Sequence, residues 1–393
     1  MFGAPRHPAI HRHLVDAFIA LGIVAWAAFT AAGQAVAWTP EVDDLILPYL
    51  APSDAPQARQ GEREMVSLAR QGRLDAAGLA EASLLVEGSE GAARIGDLRE
   101  KLAQWSAELA KDSAGDSRAK AERILQFLHR QVLKGGYEAN TSSLIATLKD
   151  GRYNCVSASL LFLALAEKQG LSVSGVQRPG HVFCRVFSNE EWLDVETTCA
   201  KCGVPAHRGE VSGARSVSAA EFLAKCYYNL GVIHLQARRF RNAIACCALA
   251  WQLDPQDDRA RDNLLASLNN GALQRCEMGD FAGAESLLAR ARRISASYGP
   301  LVANEAYLAR LRVARLCSDE RFTEALSVVA ELRARRPESV VAMALEAQIR
   351  RQFPAGEASL VGSGSSSAEV RFEAGHPLRQ NADSPRDLTV PGF

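Results

Sequence analysis

Residues 151–170 read GRYNCVSASLLFLALAEKQG, and the local fold turns on this stretch. Asn154 is a natural N-cap, the run from Val156 to Ala166 is largely apolar, and Gly170 supplies a stop. The pattern predicts a buried helix that begins at Cys155. A cysteine in that place meets unpaired N–H groups and the positive end of the helix dipole, both of which favour thiolate, the nucleophilic form. The same position also suits an unreactive packing cysteine, so chemistry requires partners elsewhere in the chain.

The partners lie downstream, where the texture changes. Ser172 to Gln177, His181 to Phe187 and Glu191 to Thr197 read as strands, divided by Pro179-Gly180 and Ser188-Asn189. A thiolate nucleophile needs a base that takes and returns a proton, and a group that orients the base. Of the eight histidines only His129, His181, His207 and His234 lie inside regions of helical or strand pattern, and His181 opens a strand beside Gly180. Asp194 sits in the next strand and is the expected orienting carboxylate, provided the hairpin register is offset by a residue or two. Glu196, on the same strand face, competes for that role. Cys184 alternates away from His181 and reads as core. Oxyanion stabilisation falls to backbone N–H groups at the helix start, with Asn154, Tyr137 and Asn140 as supporting side chains.

With these residues in place, positions 121–198 resemble the core of the transglutaminase-like superfamily. Asn154-Cys155-Val-Ser-Ala-Ser matches its nucleophile helix, Gly175 to Val182 is similar to the His strand of a SirB1-related bacterial branch, and Trp192-Leu193-Asp194-Val195-Glu196 resembles the Asp strand. Many members of that branch lack the cysteine, which this chain keeps. The resemblance implies an α+β papain-like core, a helix packed on a short antiparallel sheet, over residues 121–215. It also implies a Cys155-His181-Asp194 triad that transfers an acyl group from a protein or peptide amide to an amine or water through a thioester. The alternative is a non-catalytic scaffold that binds peptides or protein partners.

Beyond residue 219 the pattern is helical and repeats itself. Arg239-Phe240, Asp280-Phe281 and Arg321-Phe322, followed by Ala243, Ala284 and Ala325, recur at 41-residue intervals. Tyr227, Leu230-Gly231, Ala243, Ala250 and Pro255 resemble the tetratricopeptide consensus, and the longer period implies longer helices or loops. Residues 220–352 are therefore expected to form an all-α helical array for binding a protein partner, closed by a helix from Ser339 to Arg351.

The termini carry other signals. Arg6 and Arg12 precede a charge-free apolar run from Ala17 to Ala32, and Ala35-Val36-Ala37 follows. Residues 1–37 thus read as a signal peptide cleaved before Trp38, or as an inner-membrane anchor, and place the protein in the periplasm or otherwise outside the cytoplasm. Residues 38–120 read as a helical N-terminal region, and residues 353–393, with Gly-Ser-Gly-Ser-Ser-Ser at 362–367, as a disordered tail.

Nine cysteines are an odd number, so at least one is unpaired within the chain. Cys226, Cys246, Cys247, Cys276 and Cys317 occupy helical positions suited to buried thiols. Cys199-Ala-Lys-Cys202 with His207 offers three local zinc ligands where a structural site needs four, which favours a disulfide or two free thiols. No phosphate-cradling glycine loop and no Rossmann fingerprint are present, so no nucleotide cofactor is indicated, and the three-ligand count leaves no metal expected. Forty-five basic and 45 acidic residues balance, which excludes a chain-wide nucleic-acid binder. That balance is a cancellation. Residues 224–352 hold one Lys and 18 Arg against 14 acidic residues. Solvated helix faces account for such a surplus, as does an acidic partner for the array.

Overall fold

The computed structural model describes residues 56–352 apart from 113, 140, 189–190, 203, 205 and 208–212. The expected export segment and C-terminal tail lie outside the described residues. Among the described residues no helix is long and apolar enough to cross a membrane.

Five helices open the chain: α1 (Pro56–Arg70), α2 (Ala76–Val86), α3 (Ser89–Ala93), α4 (Ile95–Ala110) and α5 (Ser117–Phe127). A π-type turn, Leu128–Val132, extends α5, with Leu133 N–H bonded to the Leu128 carbonyl at 2.8 Å. A small parallel pair, β1 (Gly136–Tyr137) and β2 (Arg152–Tyr153), flanks α6 (Leu144–Asp150). Then comes α7 (Cys155–Lys168), the helix predicted at 155, and Gly170 after it takes φ of 74°, the left-handed value its stop role requires.

Every residue of α7 from Cys155 to Ala166 is buried. Its apolar residues run all round the helix, so it has no solvent face and is enclosed by α2, α4, α5 and the sheet. Leu160, Leu161, Phe162 and Leu165 are fully covered, each contributing about 1.5–3 kcal/mol of transfer free energy.

The sheet has five antiparallel strands in the order β6-β5-β4-β3-β7: β3 (Ser172–Arg178), β4 (His181–Ser188), β5 (Glu191–Val195), β6 (Ala206–His207) and β7 (Arg215–Val217). Gly175 in β3 is required by packing, since a Cβ there would lie 2.7 Å from the Phe222 ring.

The helical array follows: α8 (Ala219–Gln236), α9 (Phe240–Leu253), α10 (Asp258–Glu277), α11 (Phe281–Ile294), α12 (Gly299–Ser318), α13 (Phe322–Arg335) and α14 (Val340–Gln352). The first helices of the three hairpins hold 18, 20 and 20 residues and the second helices 14 each, so the long period is taken up in the first helix. Each hairpin turns through one left-handed residue two positions before the repeated Phe: Arg238 at φ 56°, Gly279 at 77° and Glu320 at 59°. At Gly231 the two helices of the first hairpin meet so closely that an added Cβ would lie 2.7 Å from the Cys247 sulfur.

The array is joined to the sheet region by packing and charge. α8 lies against α1 and α2, and the Tyr227 hydroxyl donates to Glu62 at 2.5 Å. The buried Lys225 ammonium bonds Asp254 and Asp257, each at 2.8 Å, and Arg215 from β7 reaches the same Asp254 at 3.4 Å. Much of the arginine surplus is answered within the array: Glu285 binds Arg312 and Arg335, and the buried Glu305 binds Arg292 and Arg336.

Among the described residues the buried apolar side chains form two larger clusters and a small one of Leu235, Phe240 and Ala243 at the first hairpin turn. One larger cluster runs from the sheet region through the array to Leu308; the other, from Ala309 to Ile349, belongs to the last helices alone.

Candidate active site

Cys155 is the first residue of α7 and is only 8% exposed. Asn154 caps the helix in a reciprocal box: its Oδ1 accepts from Val156 N–H at 2.9 Å and Ser157 N–H at 3.2 Å, while Ser157 Oγ accepts from Asn154 N–H at 3.2 Å. The Asn154 Nδ2 donates to Ser142 Oγ at 2.8 Å and to the Ala139 carbonyl at 3.3 Å. Asn154 therefore holds the start of α7 and the preceding loop, and its amide is committed to these contacts. Ser143, which caps α6, and the first N–H groups of α6 all bond to Glu87, which fixes that loop to α2.

His181 begins β4, is 7% exposed, and stands close enough to Cys155 for that side chain to raise its proton affinity. Its Nε2 lies 2.6 Å from Glu196 Oε2. Thr198 holds the other carboxylate oxygen, donating from Oγ1 at 2.7 Å and from its N–H at 3.3 Å. The three groups stand in the order thiol, imidazole, carboxylate.

The carboxylate on the ring is Glu196, in the place expected for Asp194. The register explains why. Ser188 pairs with Glu191, so Arg185 stands opposite Asp194 and Cys184 opposite Val195. Asp194 accepts Arg185 Nε at 2.6 Å and Nη2 at 2.9 Å, a bidentate pair, with the guanidinium 4.8 Å from the Trp192 ring centre. Two residues further along the same face, Glu196 comes level with Phe183 and reaches His181.

Charge follows geometry. Burial pushes the His181 pKa down, but hydrogen bonds to Cys155 and Glu196, with their negative charge, outweigh it and hold the ring up at about 9. For Glu196 burial pushes upward, yet the bonds from His181 and Thr198 carry the carboxyl below its usual value. The site thus favours an imidazolium held by the Glu196 carboxylate.

A tier behind the ring fixes the segment that carries Glu196. Thr197 Oγ1 bonds Ser159 Oγ of α7 at 2.8 Å, and His129 Nε2, in the π-type turn, donates to the Thr197 carbonyl at 3.0 Å. Burial, opposed only in part by that bond, keeps the His129 pKa low, so the ring is neutral at pH 7. Tyr153 donates to the Thr198 carbonyl at 3.4 Å and packs edge-on against both His129 and Tyr137. These supporters were missed from sequence; the one signal was the polar pair Thr197-Thr198 directly after Glu196.

Tyr137 stands near Cys155 and Glu196, 39% exposed. Burial and then the charges of Cys155 and Glu196 push its hydroxyl up to about 12, so it stays protonated and able to donate. Asn140 lies outside the described residues. Cys184 is fully buried against the Ser159 carbonyl and burial drives its thiol far up. Cys199 and Cys202 form a disulfide just beyond Thr198, and among the described residues no cluster of three or more side chains is arranged to hold a metal. Cys226, Cys247, Cys276 and Cys317 are buried free thiols, and Cys246 is partly buried. His207 pairs by backbone with Trp192 at the sheet edge, and His234 contacts Arg239 on α8, away from the site.

Residues 96–211 match the family model of the Transglutaminase-like superfamily, so the chain carries a domain of that superfamily, with α4 included. Among solved structures the chain is similar to one described as "Crystal structure of menin reveals the binding site for Mixed Lineage Leukemia (MLL) protein". The TM-score is 0.35 at 14% identity over 69% of each chain, a likeness too weak to carry an argument. Comparison with curated proteins finds no match.

Proposed function

We propose that this protein is a cysteine-dependent acyl-transfer enzyme acting on a protein or peptide amide, with Cys155 as nucleophile, His181 as acid and base, and Glu196 as the orienting carboxylate. The observation that carries the reading is the His181 ring set between the Cys155 thiol and the Glu196 carboxylate at the start of a buried helix. Cys155 passes its thiol proton to His181 as the sulfur attacks the amide carbonyl, and the carbonyl π electrons move to oxygen. The Cys155 backbone N–H and the Tyr137 hydroxyl stabilise that oxyanion. Collapse expels the amine, which takes its proton from His181, and leaves a thioester on Cys155. An incoming amine or water gives a proton to His181 and attacks the thioester, and His181 returns that proton to the departing Cys155 sulfur, which restores the thiol.

The hairpin array, of tetratricopeptide type, presents the substrate or a protein partner to this domain. The N-terminal apolar segment and the Cys199–Cys202 disulfide support an exported protein in an oxidising compartment. The kept cysteine supports an active member of the SirB1-related branch.

The test uses the full chain and a nitrophenyl ester as activated acyl donor. Intact-mass spectrometry is expected to show one acyl group on Cys155, formed more slowly by at least about tenfold in His181→Ala. Acylation that spares Cys155, or is indifferent to His181, overturns the reading.

A further inference from the structure

We propose that Arg178 is a positioning residue that tunes the proton affinity of His181 through the carboxylate they share. The proposal rests on the acyl-transfer reading and adds a residue to it. Arg178 closes β3 directly opposite His181, and Pro179-Gly180 joins the two strands, with Gly180 at φ 76°. Its Nη2 lies 3.5 Å from Glu196 Oε2, the oxygen that His181 Nε2 contacts at 2.6 Å. The guanidinium also stands 5.6 Å from the centre of the Phe183 ring, and Phe183 stacks on His181 at 6.3 Å with 20° between planes. Arg178, Phe183, His181 and Glu196 form a closed ring of contacts at the open edge of the site, where the Arg178 side chain is 56% exposed.

Other charged and titratable groups surround this cluster. Cys155 comes from α7, Tyr137 from β1 and Tyr153 from β2. The His129 of the π-type turn is neutral, Cys184 sits on the inner face of β4, and the Arg185–Asp194 pair is the next along the hairpin. Arg185 is satisfied by Asp194 in a bidentate pair, whereas Arg178 directs its charge at the oxygen that holds the catalytic ring.

The consequence is electrostatic. Cys155 and Glu196 together pull His181 toward imidazolium, and a ring that holds its proton too tightly is a poor acid for an amine leaving group. A cation beside Glu196 offsets part of the carboxylate's field and disfavours a second cation at His181. It therefore limits how far the ring is raised. For a partly exposed charge at this distance the effect is about 0.5–1 pH unit.

The experiment is a histidine NMR titration of the full chain, read at His181 and assigned with His181→Ala, in wild type, Arg178→Gln and Arg178→Lys. Arg178→Gln is expected to raise the apparent His181 midpoint by about 0.5–1 unit, and Arg178→Lys to stay within about 0.2 unit of wild type. A midpoint in Arg178→Gln that is unmoved or lowered overturns the proposal, as does a Lys variant that behaves like Gln. Circular dichroism of each variant separates loss of fold from retuning. Failure of the underlying reading is a different result, namely Cys155 acylation in wild type that ignores His181.

Discussion

The His181 imidazole meets Glu196 Oε2 at 2.6 Å while Thr198 supplies two donors to the opposite oxygen, so the carboxylate is fixed from both sides before it fixes the ring. An orienting group is useful only if it is itself immobile. Thr198 is held in turn by Tyr153, and Thr197 by His129 and Ser159, which ties the carboxylate's position to the helix that begins at Cys155.

The raised pKa of His181 makes stability depend on pH. A ring whose folded value is about 9 against about 6.5 unfolded contributes stability that is fully present below about pH 6.5 and is lost as pH rises through about 9. Thermal melting between pH 6 and 10 is expected to show a fall of about 2–6 °C over that window, absent in His181→Ala. A profile of the same shape in both proteins refutes the assignment.

Glu196 and Asp194 are expected to separate cleanly. Glu196→Gln keeps the shape but loses the charge, and acyl transfer should drop about 10²- to 10⁴-fold with little change in melting. Asp194→Asn breaks the partly buried pair with Arg185 and should cost about 1–3 kcal/mol of stability with activity within about threefold. Urea unfolding and acylation rates measured side by side decide, and the reverse pattern would restore Asp194 to the triad.

Asn154 is expected to act through structure. Asn154→Ala strips the α7 cap and two bonds to the 139–142 loop, for a loss of about 1–3 kcal/mol. Asn154→Asp keeps the cap acceptor and should recover about half of that in denaturant titration. Equal losses in the two variants would show that the cap contributes nothing.

In the array, Gly231→Ala places a methyl against the Cys247 sulfur and should destabilise by about 1–3 kcal/mol. Cys247→Ala opens room for it, so the double variant should be less destabilised than the sum of the singles. Strict additivity in melting experiments would mean that the helices do not meet there.

Much of this was legible in the sequence because it is local. The cap-to-glycine span of α7, the strands starting at 172, 181 and 191, and the 41-residue recurrence are periodic patterns readable without a third dimension. The choice between Asp194 and Glu196 was not local. Both lie on one strand face, and only the pairing of Ser188 with Glu191 decides which one comes level with the ring. Arg178, His129 and Tyr153 were invisible for the same reason: each acts on a residue 18 to 68 positions away, across elements whose packing the sequence pattern does not encode.

The division of the apolar interior at Leu308 and Ala309 has a mechanical meaning. Force applied at the C-terminal end reaches α13 and α14 first, and their small core can give way while α7 stays enclosed. A molecule built this way yields in steps. Its last hairpin serves as a fuse, so a partner that pulls on the array would strip the final helices before the strain reached Cys155.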